Sequence, residues 1–164
     1  MKTLLMILAF TVLVACSNDD ENMNGFNLEN QVYLSIKNSD GQNLLDASTE
    51  NSFNINAIRL YYLIDNEPVE VTIENGYNMG STELTSDKLL KVFTNPSSSN
   101  IIEKTSEYDV VENIAYLALS ETEIDTIKTY SKSGQNYFLV SKVWYNGELV
   151  WERETGGVIE IIKQ

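Results

Sequence analysis

The segment Tyr137–Glu152 constrains this chain more than any other. Two alternating runs, Tyr137–Tyr145 and Glu148–Glu152, are separated only by Asn146-Gly147. Asn-Gly is the pair best suited to the two-residue type I′ turn, which needs positive φ at both central positions and matches the twist of the flanking strands. A chain committed to such a hairpin sends alternate side chains to opposite faces. The turn pairs Trp144 with Leu149 and Lys142 with Trp151. Phe138, Val140, Trp144, Leu149 and Trp151 then share one face. Leu139, Ser141, Val143, Tyr145, Glu148, Val150 and Glu152 share the other. The first face is the heavier apolar one, so it is expected in the core, and both tryptophans with it.

The same period of two recurs along the chain. Val32, Leu34 and Ile36 alternate with Tyr33, Ser35 and Lys37, and Asn38-Ser39-Asp40-Gly41 closes that run with turn residues. Ile55–Ile64 reads as a strand with Ile58, Leu60, Tyr62 and Ile64 on one face. Val69, Val71 and Ile73 alternate with Glu70, Thr72 and Glu74. Leu84–Thr94 admits two readings: a short helix capped near Ser86, or a strand through Leu90, Val92 and Thr94, which is preferred. Val110–Leu119 is expected to turn Ala115, Leu117 and Leu119 one way and Ile114 and Tyr116 the other. Ile124–Tyr130 opposes Ile124 and Thr126 to Asp125, Ile127 and Thr129. Gly156-Gly157 leads into a last strand, Val158–Ile162. Eight or nine short antiparallel strands with turns between them, and no long helix, imply an all-β fold. The expectation is an antiparallel β-sandwich resembling an immunoglobulin-like domain, with one short helix near Ser86 as the variant.

The amino-terminal stretch carries an address. Met1-Lys2 precedes an apolar run from Leu4 to Val14, broken only by Thr11, and then Ala15 and Cys16, the single cysteine of the chain. A charged start, a short apolar core and a small residue before the cut describe a secretory signal. The run is too short to span a bilayer comfortably, which takes about 20 residues. Leu13-Val14-Ala15-Cys16 resembles the lipobox of bacterial lipoproteins. That resemblance implies a diacylglycerol on the Cys16 sulfur, cleavage before Cys16 and acylation of the new amine, and hence anchoring without a spanning helix. One acyl chain holds a protein only marginally, but several do so durably.

Ser17 follows the cysteine and Asp19-Asp20-Glu21 follow it in turn. This resembles the acidic export signal of Bacteroidetes surface lipoproteins. Gly41-Gln42-Asn43-Leu44-Leu45-Asp46 and Leu119–Ile127, followed later by Tyr145-Asn146-Gly147, are similar to segments of small uncharacterised lipoproteins of that phylum. The resemblance implies an outer-membrane β-domain facing the cell surface or the periplasm, and it brings no catalytic residues with it. Asp125-Thr126-Ile127 also resembles the flavobacterial O-glycosylation acceptor. The resulting organisation is a signal peptide over 1–15, an acidic flexible tether over 16–30 and a single β-sandwich domain over 31–164.

Composition excludes several chemistries. Hydrophobic residues make up 43% of the chain, too many for a disordered protein and enough for a core. The formal net charge is −13, which repels nucleic acid. No histidine occurs, which removes histidine triads and histidine-ligated metals. Lipidation of Cys16 would leave no thiol for catalysis, a disulfide or a metal. Asn38, Asp40 and Gly41 miss the spacing of a calcium loop, so a turn is expected there. No phosphate-binding loop or nucleophile elbow appears. No catalytic residue, metal site or cofactor is therefore assigned.

Tyr33, Tyr61, Tyr77, Tyr137 and Tyr145 are the candidates for an outer aromatic platform, since aromatic rings stack on sugars while neighbouring Asn and Asp bind hydroxyls. The expected function is a non-enzymatic binding or adhesion module for a glycan, a peptide or an envelope protein, held to the membrane by its lipid. The alternatives are a glycoside hydrolase working through carboxylates alone and a structural accessory subunit of an envelope complex.

Overall fold

Alternation in the sequence is realised as twelve strands among the described residues: β1 (Asn27–Glu29), β2 (Gln31–Asn38), β3 (Arg59–Ile64), β4 (Glu67–Glu70), β5 (Thr82–Leu84), β6 (Leu90–Phe93), β7 (Ile101–Lys104), β8 (Tyr108–Ala118), β9 (Ile124–Gly134), β10 (Tyr137–Tyr145), β11 (Glu148–Glu152) and β12 (Ile159–Lys163). The structure, a computed structural model, describes residues 25–72, 82–95 and 100–164.

The strands form two sheets. The larger runs β1-β10-β9-β8-β3-β4, with β11 also paired to β10 and β7 to β8; the smaller runs β12-β2-β6-β5. β1 and β11 occupy successive lengths of one edge of β10, and β7 and β3 do the same on β8. The sheets pack through their inner faces. Leu34 and Ile36 of β2, Leu90 and Val92 of β6 and Ile159 of β12 meet Leu60 of β3, Leu117 of β8, Ile127 of β9 and Val140 and Val143 of β10 in one apolar cluster. Each such side chain, fully buried, contributes about 1.5–3 kcal/mol. This is the sandwich that the alternation implies.

Several expectations are corrected. The strands outnumber the eight or nine read from the sequence because β1, β5 and β7 span only three or four residues, too few to display a period. Two pairings, β1 with β10 and β12 with β2, are parallel. Alternation sets which face a side chain takes but carries no information on the direction of the neighbouring strand.

Asn27–Asn30, within the stretch expected as tether, belong to the fold. Asn30 is buried, its amide donates to the Thr94 carbonyl at 3.1 Å, and its carbonyl accepts from the Thr94 N–H at 2.6 Å. The strand expected from Ile55 starts only at Arg59. Asn54 accepts from the Asn56 N–H at 3.1 Å and caps a single 3-10 turn over Ile55–Ala57. Beyond it, Ile58, Leu60 and Tyr62 are buried as expected. Near Ser86 a turn replaces the helical variant. Leu89 donates its N–H to the Thr85 hydroxyl at 3.1 Å, Lys88 takes φ +59°, and Leu90 then enters β6. Asn38–Gln42 is the expected turn, with the Asn38 side chain accepting from the N–H groups of Asp40 and Gln42 and Gly41 at φ +78°.

Candidate functional site

The hairpin that opens the sequence reading also builds the candidate site. Asn146 and Gly147 take φ +50° and +89°, as a type I′ turn requires. Trp144 lies opposite Leu149, as expected, and Tyr145 opposite Glu148. Two β-bulges then redirect the strands. Along β10, Val140 pairs with Ser131 and Lys142 with Tyr130, so Ser141 is an extra residue; its hydroxyl donates to the Tyr130 carbonyl at 2.9 Å. Along β11, Leu149 pairs with Trp144 and Trp151 with Val143, so Val150 is extra. A bulge inverts the side-chain alternation beyond it.

The core therefore receives Phe138 and Val140 before the bulge and Val143 and Tyr145 after it. Trp144 and Lys142 face outward. This overturns the single-face assignment of the hairpin and the placement of Trp144 in the core. Lys142 lies opposite Glu152, in a 2.6 Å ion pair, and not opposite Trp151. Trp151 does pack against the core, on the side of Val143.

Redirected outward, Trp144 joins an aromatic group on the open face of the larger sheet. Its ring centroid lies 4.5 Å from that of Tyr130, with the planes tilted by 58°. Offset, tilted contacts of this kind add about 0.5–1.5 kcal/mol beyond area burial. The Lys128 ammonium sits 4.4 Å from the Trp144 ring centre and 5.3 Å from that of Tyr130. Register extends the group across the sheet: Ile114, Lys128, Trp144 and Leu149 form one cross-strand row, and Tyr61, Tyr116 and Thr126 another. Leu149 is 49% exposed.

The expected tyrosine platform is not assembled as proposed. Tyr61 is on this outer face beside Tyr116. Tyr33 lies across from Lys91, between the buried Val32 and Leu34, and so faces outward on the other sheet. Tyr137 stands at the start of β10, with its ring folded onto Gly134, where a Cβ would come within 2.5 Å of the ring. Tyr145 points into the sandwich and is 6% exposed. Tyr77 lies outside the described residues, as do Cys16, Ser17, Asp19, Asp20 and Glu21. Tyr130, Trp144 and Lys128 were the residues missed. The i, i+2 spacing of Lys128 and Tyr130 on the polar side of β9 was a usable signal, but the place of Trp144 depended on the bulge.

Tyr145 instead belongs to a buried polar network. Its hydroxyl donates to Asp125 Oδ2 at 2.7 Å, Lys163 Nζ approaches the same oxygen at 2.5 Å, and the Asn146 amide donates to Oδ1 at 2.6 Å. Lys163 also pairs with Glu123 at 2.8 Å. Burial pushes the Asp125 carboxyl upward, but the donors Lys163, Asn146 and Tyr145 outweigh it and hold the group below its ordinary value. Burial, reinforced by the Asp125 carboxylate, pushes the Tyr145 phenol well above its ordinary value. Both carboxylate oxygens are engaged, so the cluster fastens β9, the β10–β11 turn and β12 together. Thr126, in the acceptor-like tripeptide, lies mid-strand opposite Tyr116 and donates its N–H to Asn146 Oδ1 at 2.8 Å.

A second polar group faces inward from β8 and β9. Both side-chain heteroatoms of Asn113 and the hydroxyls of Thr129 and Ser131 are buried with no hydrogen-bond partner. Asn113 and Thr129, directly opposite each other, line a small cavity with Tyr62, Val92 and Thr94, with room for about one water molecule. An unpartnered buried hydroxyl costs about 1–3 kcal/mol. Thr129→Val keeps the branched shape and is expected to raise the unfolding free energy by about 1 kcal/mol. A higher urea midpoint is the expected readout, and a lower one would mean that the hydroxyl holds a solvent molecule.

No family model, curated protein or solved structure matches this chain. The functional reading rests on the chemistry of these surfaces and on the residues of the amino-terminal stretch.

Proposed function

We propose that this protein is a non-enzymatic binding module of the bacterial outer membrane, anchored by lipid on Cys16, that recognises a glycan on the outer face of its larger sheet. The observation that carries the reading is the Trp144–Tyr130 pair, half-buried on the face of the larger sheet turned away from the smaller one. Stable sheet faces turned to water ordinarily alternate to polar residues. Here a bulge delivers an indole to that face, and bulges commonly re-aim a side chain where function needs it. Sugar rings stack on such aromatics, and Tyr61 and Tyr116 extend the same surface toward β3. The lipobox-like Leu13-Val14-Ala15-Cys16 supports the anchor, and the acidic Asp19-Asp20-Glu21 supports a surface-exposed position.

Two measurements test the reading. Labelled palmitate is expected to enter the wild-type protein and to be absent from Cys16→Ser; label in the variant refutes the anchor. On a glycan array the wild type is expected to retain glycans, and Trp144→Ala with Tyr130→Ala to lose about tenfold or more in affinity, taking each ring's stacking contact at about 1 kcal/mol, the low end for nucleobases on aromatic rings. Glycan binding that survives both changes refutes the platform. Capture of an envelope protein through the same face, with no glycan retained, favours the accessory-subunit alternative.

A further inference from the structure

We infer that the ligand of this platform is an anionic polysaccharide, carboxylated or sulfated. The inference deepens the glycan-binding reading and rests on it. The chain has 24 acidic residues against 11 Lys and Arg. With carboxylates in such excess, cations are expected to pair with them, and among the described residues Lys37, Arg59, Lys91, Lys142, Arg153 and Lys163 do form ion pairs. Lys128 and Lys132, on the outer face of the central strand β9, are engaged by aromatic rings. Lys128 lies over Trp144 and Tyr130, and Lys132 lies 5.0 Å from the ring centre of Tyr108.

Geometry turns the two lysines into a repeating pattern. Lys128, Tyr130 and Lys132 follow one another along one face of the strand, which separates the ammonium-bearing positions by about 13 Å. Each end carries a cation beside an aromatic ring, and Tyr130 lies between. A short run of pyranose rings covers that length, stacking on the aromatics while acid groups on successive sugars reach the ammonium groups. In the register row of Tyr130, Glu112 accepts from the Asn100 amide at 3.0 Å and Glu152 is paired with Lys142, so both carboxylates of that row are engaged. A neutral glycan offers the ammonium groups no carboxylate or sulfate partner. An anionic one uses both rings and cations, on a protein whose net charge of −13 disfavours contact over most of its surface.

The test uses the full-length protein purified from its own envelope in detergent. The probes are polygalacturonate, the same polymer after carboxyl reduction, and dextran sulfate beside neutral dextran. The anionic member of at least one pair is expected to bind about tenfold tighter at low salt, a margin set by two surface charge contacts. That margin is expected to vanish in the Lys128→Gln/Lys132→Gln double variant and to shrink with added salt; the variant remains folded, with a slightly lower unfolding temperature from the lost cation–π contacts. Preference for polygalacturonate assigns carboxylate and preference for dextran sulfate assigns sulfate. Equal binding of acidic and neutral polymers through Trp144 overturns this inference and leaves the glycan-binding reading intact. Binding of no polymer, with or without binding to anionic lipid vesicles, overturns both.

Discussion

Asp125→Ala is expected to lower the unfolding free energy by about 3 kcal/mol, measured as a shift of the urea transition. The carboxylate is 4% exposed and accepts from Tyr145, Asn146 and Lys163. Removing it strands a buried phenol hydroxyl and leaves Lys163 with Glu123 and the Tyr145 ring. It also unfastens the last strand from β9 and from the hairpin turn. The loss exceeds what a surface ion pair is worth, about 0–1 kcal/mol, because the partners are left desolvated. A shift under 1 kcal/mol would contradict the network. The same group makes stability pH-dependent. Its folded-state pKa lies below the ordinary 3.8, since the donors outweigh the effect of burial. The contribution is therefore complete above the unfolded-state value and is lost as pH falls through the folded one. The stability gap between wild type and Asp125→Asn is expected to hold from neutrality to about pH 5 and to close in stronger acid. A gap that is constant through that range would show that the carboxylate charge contributes nothing.

Val143→Ala is expected to cost about 2 kcal/mol of stability, and Trp144→Ala no more than that, about 1–2 kcal/mol, although tryptophan is much the larger side chain. Val143 is fully buried between the sheets, so its truncation leaves a cavity. Trp144 is half-buried on the outer face, where truncation removes its packing with Tyr130 and Lys128 and leaves no cavity between the sheets. A simple alternating strand predicts the reverse order. Chemical unfolding of the two variants side by side decides between the bulged strand and the uninterrupted one.

The candidate site was legible only in part. Tyr61 was identified and lies on the proposed surface, but Tyr33 was assigned to the same platform and sits on the opposite sheet. Sequence alternation shows that a side chain faces outward, not which sheet carries it. Tyr145 and Trp144 were exchanged between inside and outside for one reason, the extra residue at Ser141. Nothing about a serine in a strand marks a bulge, because the bulge arises where β10 must pair at once with β9 and with β1 and β11 along its other edge. Asp125 read as one more strand carboxylate. Its partners Tyr145 and Lys163 stand 20 and 38 residues away in sequence, and only the packing of three strand ends brings them together.

Local chemistry alone determined the strands long enough to show a period, the positive-φ turns at Gly41 and Asn146-Gly147, the Trp144–Leu149 register and hence an all-β sandwich. These follow from each residue's own backbone preference and from near neighbours. Tertiary structure decided the parallel pairings of β1 and β12, the short edge strands, the inversion of β10 and the meeting of Asp125 with Lys163. Those features depend on which distant strands share an edge, and a two-residue period is blind to both the partner and its direction.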